Sequence, residues 1–255
     1  MIKKKIFYIL PCFNEELNLK KLLTDFYNFY KSKKFNIHIV IINDGSNDNS
    51  LKLIKKLKKK LDKKNFKIII ISHKKNLGLG ESLKDGFKYC FLKGKNNDVI
   101  ISMDCDNSHT VQLSFRMLMN ILKNKKDIVI ASRYKKNSKT KGLDNLRIFL
   151  SYGAAILYKI FFPIKNVKDY TCGFRAFRLN VIKKAFIENR NFFSEKGFSA
   201  SADILLKLFR YKNLITFDEV PINLRYDLKK GESKMKIIKT IFLSLRLIVI
   251  RKLFN

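Results

Sequence analysis

Val99-Ile100-Ile101-Ser102-Met103-Asp104-Cys105-Asp106-Asn107 is the stretch on which the fold turns, a short β-branched apolar run followed by two carboxylates one residue apart. A strand apolar on both faces belongs inside a parallel sheet. Runs of the same character lie at residues 6–10, 37–42, 67–72 and 128–131, and helical apolar spacings fill 15–31, 48–61, 79–92 and 111–122 between them. This order predicts a doubly wound α/β domain, a mostly parallel sheet flanked by helices, with function at the carboxyl ends of the strands. The second half reads as a helix over 143–162 closed by Pro163, a polar turn, a helix near 199–210, a strand over 215–220 and a terminal helix from 236. With only 3 Pro and 10 Gly and no linker, both halves are expected to share one core.

The chain of 255 residues has room for one large domain or two small ones. Its 46% hydrophobic and 13% aromatic content excludes a disordered chain. There are 54 Lys+Arg against 21 Asp+Glu, a net charge of +33, with lysine carrying the excess. Such a surface attracts nucleic acid, anionic membrane or phosphorylated substrate, although an AT-rich genome also favours Lys, Asn, Ile and Phe together. The lysines are spread over nearly every helix, as in 55–64, and Phe occupies apolar stripes, so no nucleic-acid partner is expected. Cys12, Cys90, Cys105 and Cys172 form no Cys-x-x-Cys pair, which fits a reducing cytoplasm. Residues 1–10 are too short for a secretory signal. The apolar stretches 148–164 and 241–250 are interrupted by Lys159 and Arg246, short of the ~18 residues that cross a bilayer. In the terminal helix Lys236, Thr240, Ser244 and Arg251 share one face, and Ile237, Ile238, Ile241, Phe242, Leu245, Ile248 and Val249 another. That amphipathic pattern fits a helix lying on a membrane or one docked on the core.

Several polar clusters sit at the expected strand ends. Pro11-Cys12-Phe13-Asn14-Glu15-Glu16 follows the first strand, where a carboxylate in the first helical turn also serves as a cap. Asn43-Asp44-Gly45-Ser46-Asn47-Asp48 follows the second and suits contacts to a nucleobase or ribose, or an ordinary capped turn. Asp104 and Asp106 point the same way by alternation, and two like charges held close raise each other's pKa unless a cation, such as a hard divalent ion shared with a diphosphate, sits between them; an ordinary surface turn is the other reading of Asp-x-Asp. His73-Lys74-Lys75-Asn76-Leu77-Gly78-Leu79-Gly80 lacks the third glycine of a dinucleotide loop and follows the third strand, which excludes a Rossmann cofactor site.

Taken in order, Pro11-x-x-Asn14-Glu15, Asn43-Asp44-Gly45-Ser46, Asn76-x-Gly78-x-Gly80, Asp104-x-Asp106, Ser132-Arg133-Tyr134, Gly173-Phe174-Arg175 and Gly231-Glu232-Ser233-Lys234 resemble the inverting family 2 glycosyltransferases of GT-A fold. The likeness is greatest to the polyprenyl-phosphate branch, typified by the dolichyl-phosphate mannosyltransferases, and spans residues 5–235. It implies a glycosyltransferase domain over 1–235, with a nucleotide-binding half (1–131) and an acceptor half (132–235), followed by the amphipathic helix 236–255. It further implies that Pro11, Asn14, Glu15, Asp44 and Asp104 bind a GDP- or UDP-linked sugar. Asp104 and Asp106 would hold Mg²⁺ or Mn²⁺. Arg133, Arg147 and Ser151 would meet the acceptor phosphate, with Arg225 and Lys234 as further phosphate contacts and Asp106 and Arg133 as the catalytic pair. Two positions depart from the family. Asn43 stands where a first Asp is frequent, and Ser108 and His109 occupy the stretch where a Gln completes the metal site.

The implied reaction moves a mannose- or glucose-type sugar to dolichyl or undecaprenyl phosphate on the cytoplasmic face of a membrane. A phosphate monoester, with its second pKa near ~6, is already a dianion and needs no general base. A saccharide hydroxyl acceptor, as in cell-surface glycan synthesis, needs one, and Asp169 and Asp203 are then the candidates.

Overall fold

The computed structural model describes residues 4–33, 35–143, 145–189, 191–228, 230 and 237–254, of which 145–147, 237–241 and 254 are described by backbone alone. The apolar runs form β1 (Lys5–Cys12), β2 (Asn36–Asp44), β3 (Phe66–His73), β4 (Val99–Ser102) and β5 (Ile128–Ser132). They alternate with α1 (Glu16–Lys33), α2 (Ser50–Leu61), α3 (Leu79–Lys93) and α4 (Val111–Leu122). β1 pairs in parallel with β2 and β4, and β2 with β3. Phe7 to Leu10 and Ile39 to Ile42 are fully buried, as both-face coverage of parallel strands requires. α2 shows where the lysines go. Ile54, Leu57 and Leu61 are buried, while Lys52, Lys55, Lys56, Lys59 and Lys60 are exposed, so here the positive excess forms a solvated face.

The second half departs from the sequence expectation in one decisive place. The stretch read as a polar turn contains β7 (Arg175–Arg178), which inserts antiparallel between β4 and β5, followed directly by α6 (Leu179–Glu188). Arg-Ala-Phe-Arg has no β-branched residue and two charges, so nothing local marks it as a strand. Its arginines are met by groups outside the strand. Arg175 donates to the Tyr170 carbonyl (2.7 Å) and to that of Ser201, and Arg178 to Asp127 (3.1 Å). With β8 (Phe217–Pro221) parallel to β5, the sheet order is β3-β2-β1-β4-β7-β5-β8, and both halves of the chain share one sheet and one core. A small parallel ribbon of β6 (Lys139–Lys141) and β9 (Asn223–Arg225) stands apart.

α5 (Asn145–Phe161), α7 (Ala200–Leu208) and α8 (Ile237–Phe254) pack together beside the carboxyl edge. α8 is docked on the protein, but with its faces turned against the simple amphipathic expectation. Ser244, Leu247 and Ile248 are buried, and Arg251 reaches inward to Asp203 (2.6 Å) and Ser194 (2.8 Å). Phe242 (67% exposed), Leu245, Val249 and Leu253 are left outside. The cause is Asp203, which is buried with Lys207 at 2.6 Å and draws the Arg251 cation with it. On α5, Ile148, Phe149, Tyr152, Ile156, Ile160 and Phe161 are likewise exposed, while Ala155 and Tyr158 are buried. Exposed apolar side chains in this number on two packed helices mark an interaction surface.

Asp203→Ala leaves Lys207 and Arg251 without their shared carboxylate. The expected loss is roughly 3–5 kcal/mol, read as a lowered urea midpoint together with earlier proteolysis of α8. An unchanged midpoint would mean that this network does not hold the helix.

Candidate active site

A cavity of about 730 Å³ opens at the carboxyl ends of β1, β2, β4 and β5 and runs on between α5 and α8. Its first end is built by two stitched loops. Asn14, held at φ 51°, accepts the Asn47 N–H (2.9 Å) and donates its own N–H to Ser46 (3.0 Å), while the Glu15 N–H donates to Ser50 (2.8 Å). Pro11, Glu15 and Asp44 line the cavity there; Asn14 is not among the lining residues and acts on the loops. Glu15 is held by the Asn18 amide (2.7 Å).

Asp44 is the hub of this end. One oxygen accepts from His73 Nδ1 (2.6 Å) and the Leu77 N–H (2.8 Å), and the other from the Gly78 N–H (2.8 Å). His73 Nε2 faces Asp85 (3.1 Å). Burial alone would lower the His73 pKa, but hydrogen bonds to Asp44 and Asp85 raise it above the ordinary histidine value. Gly78 sits at φ 95°, and a Cβ on Gly80 would collide with the Glu195 carbonyl oxygen, which explains both glycines of that motif.

Asp104 and Asp106 line the middle of the cavity. Asp106 is buried, with Oδ1 accepting the Ser108 N–H (3.0 Å) and hydroxyl (2.5 Å), whereas the Asp104 side chain is 49% exposed. His109 Nδ1 accepts the Asp104 N–H (3.3 Å), and its ring stacks on Phe174 at 4.8 Å. Ser108 and His109 thus brace the two carboxylates, and among the described residues no His, Cys, Asp or Glu joins them in a three-residue metal cluster. Two hard carboxylates that both line the cavity fit a divalent ion whose remaining ligands come from a diphosphate and water. The Gly173-Phe174-Arg175 motif is scaffold for this loop. The Gly173 carbonyl accepts the Ser102 hydroxyl (2.7 Å), and a Cβ on Gly173 would lie 3.9 Å from Asp104.

Beyond β5 the structure brings Arg133 and Ser151 together, with Nη1 donating to the hydroxyl at 2.9 Å. Arg133 does not, however, present an open fork. Nε and Nη2 grip Asp169 at 2.8 and 2.7 Å, and Nη2 also reaches Thr171 (2.5 Å). Tyr134, 2.8 Å from Ser151, completes the node. Burial would raise the Asp169 pKa, but Arg133 and backbone N–H donors hold it below the ordinary aspartate value. Asp169 and Asp203, the candidate bases for a hydroxyl acceptor, are both buried in ion pairs, Asp169 with Arg133 and Asp203 with Lys207 and Arg251, which is the structural alternative for each. Arg225 is closed on Asp227 (2.8 and 2.7 Å) and is not among the lining residues. Lys234 and the side chain of Arg147 lie outside the described residues, although Arg147 falls in α5 as expected.

Tyr226, which no motif flagged, lines the cavity near Asp104 and Asp106, and burial pushes its hydroxyl up to about 12, so it stays a neutral donor. Asp85 and Thr171 carried no signal in the sequence, and His73, which opens the His73–Gly80 stretch, gave no sign of its two carboxylate partners. Their partners lie 12 to 38 residues away, and no local spacing announces them.

The sequence pattern of glycosyl transferase family 2 matches residues 8–187. A dolichol-phosphate mannosyltransferase of Pyrococcus furiosus is 31% identical over 243 residues, covering 95% of this chain and 62% of its own length. A UDP-N-acetylglucosamine–dolichyl-phosphate N-acetylglucosaminyltransferase of Methanococcus voltae is 26% identical, with 92% of each chain covered. This chain thus spans less than two thirds of the Pyrococcus relative. Among solved structures, mannosyl-3-phosphoglycerate synthase of Rubrobacter xylanophilus superposes with a TM-score of 0.70 at 12% identity, covering 98% of this chain and 74% of its own. Glucosyl-3-phosphoglycerate synthase of Mycobacterium tuberculosis, solved with Mn²⁺, UDP and glucosyl-3-phosphoglycerate, gives 0.68 at 12% identity, covering 100% and 81%. These likenesses place the fold in the GT-A class.

The sign of the Asp169 shift sets a pH test. A carboxylate whose folded pKa is depressed stabilises above its unfolded value and loses that contribution as pH falls through the folded one. Asp169→Asn should cost roughly 3 kcal/mol at pH 7. The gap from wild type, read from urea midpoints, should shrink below about pH 4, near the unfolded pKa. A gap that does not vary with pH would mean the ion pair is not its source.

Proposed function

The chain belongs to glycosyl transferase family 2, and on that premise we propose that it transfers a hexose from a nucleotide sugar to a polyprenyl phosphate, with inversion, at the cytoplasmic surface of a membrane. The observation that carries this reading is the continuity of one cavity. It joins the Asp104 and Asp106 carboxylates, the Arg133–Ser151 node and an apolar wall from α5 and α8 that includes Phe149, Leu157, Leu245 and Ile248. A substrate with a phosphate head and a hydrocarbon tail matches that order, and the relatives whose names mention dolichyl phosphate support it.

Asp104 and Asp106 would hold Mg²⁺ or Mn²⁺, which stabilises the charge that grows on the diphosphate as it leaves. The nucleotide end is bounded by Pro11, Glu15 and Asp44. Ser151 and the Arg133 Nη1 edge orient the acceptor phosphate, and Asp169 keeps that guanidinium charged and fixed. The acceptor oxygen forms its bond to the anomeric carbon from the face opposite the diphosphate, whose bond to that carbon breaks and whose oxygen takes the electron pair. No proton has to be removed from a phosphate dianion, so the commitment of Asp169 and Asp203 to ion pairs is no obstacle. A saccharide acceptor would need a base that neither of them supplies.

No helix among the described residues is long and apolar enough to cross a membrane. The exposed apolar side chains of α5 and α8 suit insertion at the headgroup level, and the lysine-rich surface suits anionic lipid.

Transfer of labelled sugar to a short-chain polyprenyl phosphate, set against saccharide acceptors, tests the proposal. Asp106→Ala should lower turnover by about a hundredfold or more with a near wild-type melting temperature, and EDTA should do the same to the wild type. Activity indifferent to both would remove the metal from the reading. Ile160 and Val249 are exposed and do not line the cavity. Replacing both by Asp should abolish co-sedimentation with anionic vesicles while transfer to a water-soluble short-chain acceptor persists. Retained vesicle binding would place the membrane contact elsewhere.

A further inference from the structure

We infer that the donor site takes a uracil-type base in preference to guanine, because Asp44 has one hydrogen-bond position left to offer, and that His73 is the residue that sets this count. The inference rests on the donor-site reading above and goes on to name the base.

Asp44 stands where a base would fall. The diphosphate is anchored over Asp104 and Asp106, just past the end of β4, and the sheet runs β2-β1-β4, so Asp44 at the end of β2 lies two strands away. At about 4.8 Å per strand that is about 10 Å, the span from a diphosphate to the pairing edge of its base. The cavity covers this interval continuously, past Pro11, Cys12 and Glu15.

A carboxylate has four lone-pair positions, two on each oxygen. Among the described residues, Oδ1 of Asp44 is filled by His73 Nδ1 and the Leu77 N–H, and Oδ2 is half filled by the Gly78 N–H. His73 cannot turn away without cost. Its other nitrogen is held by Asp85 (3.1 Å), and its side chain is 7% exposed. Nδ1 faces Asp44 and Nε2 faces Asp85, so an Nδ1–H points at Oδ1 and occupies it as a donor. Guanine presents adjacent N1–H and N2–H donors and needs a free position on each carboxylate oxygen; here one of them would be left unpaired. Uracil presents a single N3–H between two carbonyls. The single free position on Oδ2 takes that donor.

Groups suited to the flanking carbonyls lie on the same wall. Ser82 lines the cavity in the first turns of α3, and its hydroxyl is fully buried and finds no hydrogen-bond partner among the described residues. Asn76 lines the cavity as well. A buried hydroxyl without a partner is a cost that a carbonyl acceptor removes.

The test is calorimetric titration of the wild-type chain with UDP and with GDP, each with excess MgCl₂ and no acceptor. A site that leaves one base donor unpaired discriminates by about tenfold or more, so UDP should bind at least ten times more tightly than GDP. GDP binding equal to or tighter than UDP would overturn the inference while leaving the donor site intact. If neither nucleotide binds, the donor-site reading falls and the base assignment with it. In His73→Ala, Oδ1 regains a free position, and the ratio should shrink severalfold through a relative gain for GDP. A ratio unchanged in a variant with a wild-type circular dichroism spectrum would remove His73 from the recognition. The wild-type ratio decides the base whether or not that variant folds.

Discussion

Arg133 and Asp169 leave water together, one from the end of β5 and the other from the loop ahead of β7, and the second half of the molecule is arranged around that pair. A buried carboxylate without its cation would cost several kcal/mol, so the fork and the loop are held in one geometry. Asp169 also accepts the backbone N–H groups of Thr171 and Cys172, and its own N–H goes to Glu219 on β8. The chain therefore reaches Gly173 and β7 in a set position. From there Gly173 and Phe174 support the loop that carries Asp104 and Asp106, and Ser151 ties α5 to the same node. Helix α5, the carboxylate loop and the sheet are coupled through one ion pair.

The same economy governs charge elsewhere. Most lysines face solvent and hold nothing in place, but a few cations are drawn into the protein where a carboxylate or a row of carbonyls requires them. Lys207 and Arg251 follow Asp203; Arg175, fully buried, is met by carbonyls, and burial pulls its pKa down to about 10. Because Arg251 is drawn inward, α8 turns Phe242, Leu245, Val249 and Leu253 outward. A polar contact in the core thus decides which face of the helix an apolar phase could meet.

The first half of the chain was legible because its signals are local. Apolar runs such as 37–42 bury themselves whatever follows, the helices between them carry their own spacing, and Asp104-x-Asp106 lies directly after a strand whose end must face the cleft. Even so, Asp44 was legible as a cleft carboxylate and not as the hub of a His73–Asp85 relay, since the hydrogen bonds that fill it come from residues 29 to 34 positions away.

From the sequence alone came the α/β class, the order of elements to α4, the family likeness and the carboxylates of the cleft. All follow from periodicity and motif order, which short stretches of chain carry by themselves. Only the tertiary structure decided that Arg175–Arg178 is a strand, that Arg133 spends its fork on Asp169, that Asp169 and Asp203 are ion-paired, and which way α8 faces. All but the Asp203–Lys207 pair, one helical turn apart, turn on a charge finding a partner far along the chain. The free energy of a buried charge is set by what surrounds it, and a sequence does not state its surroundings.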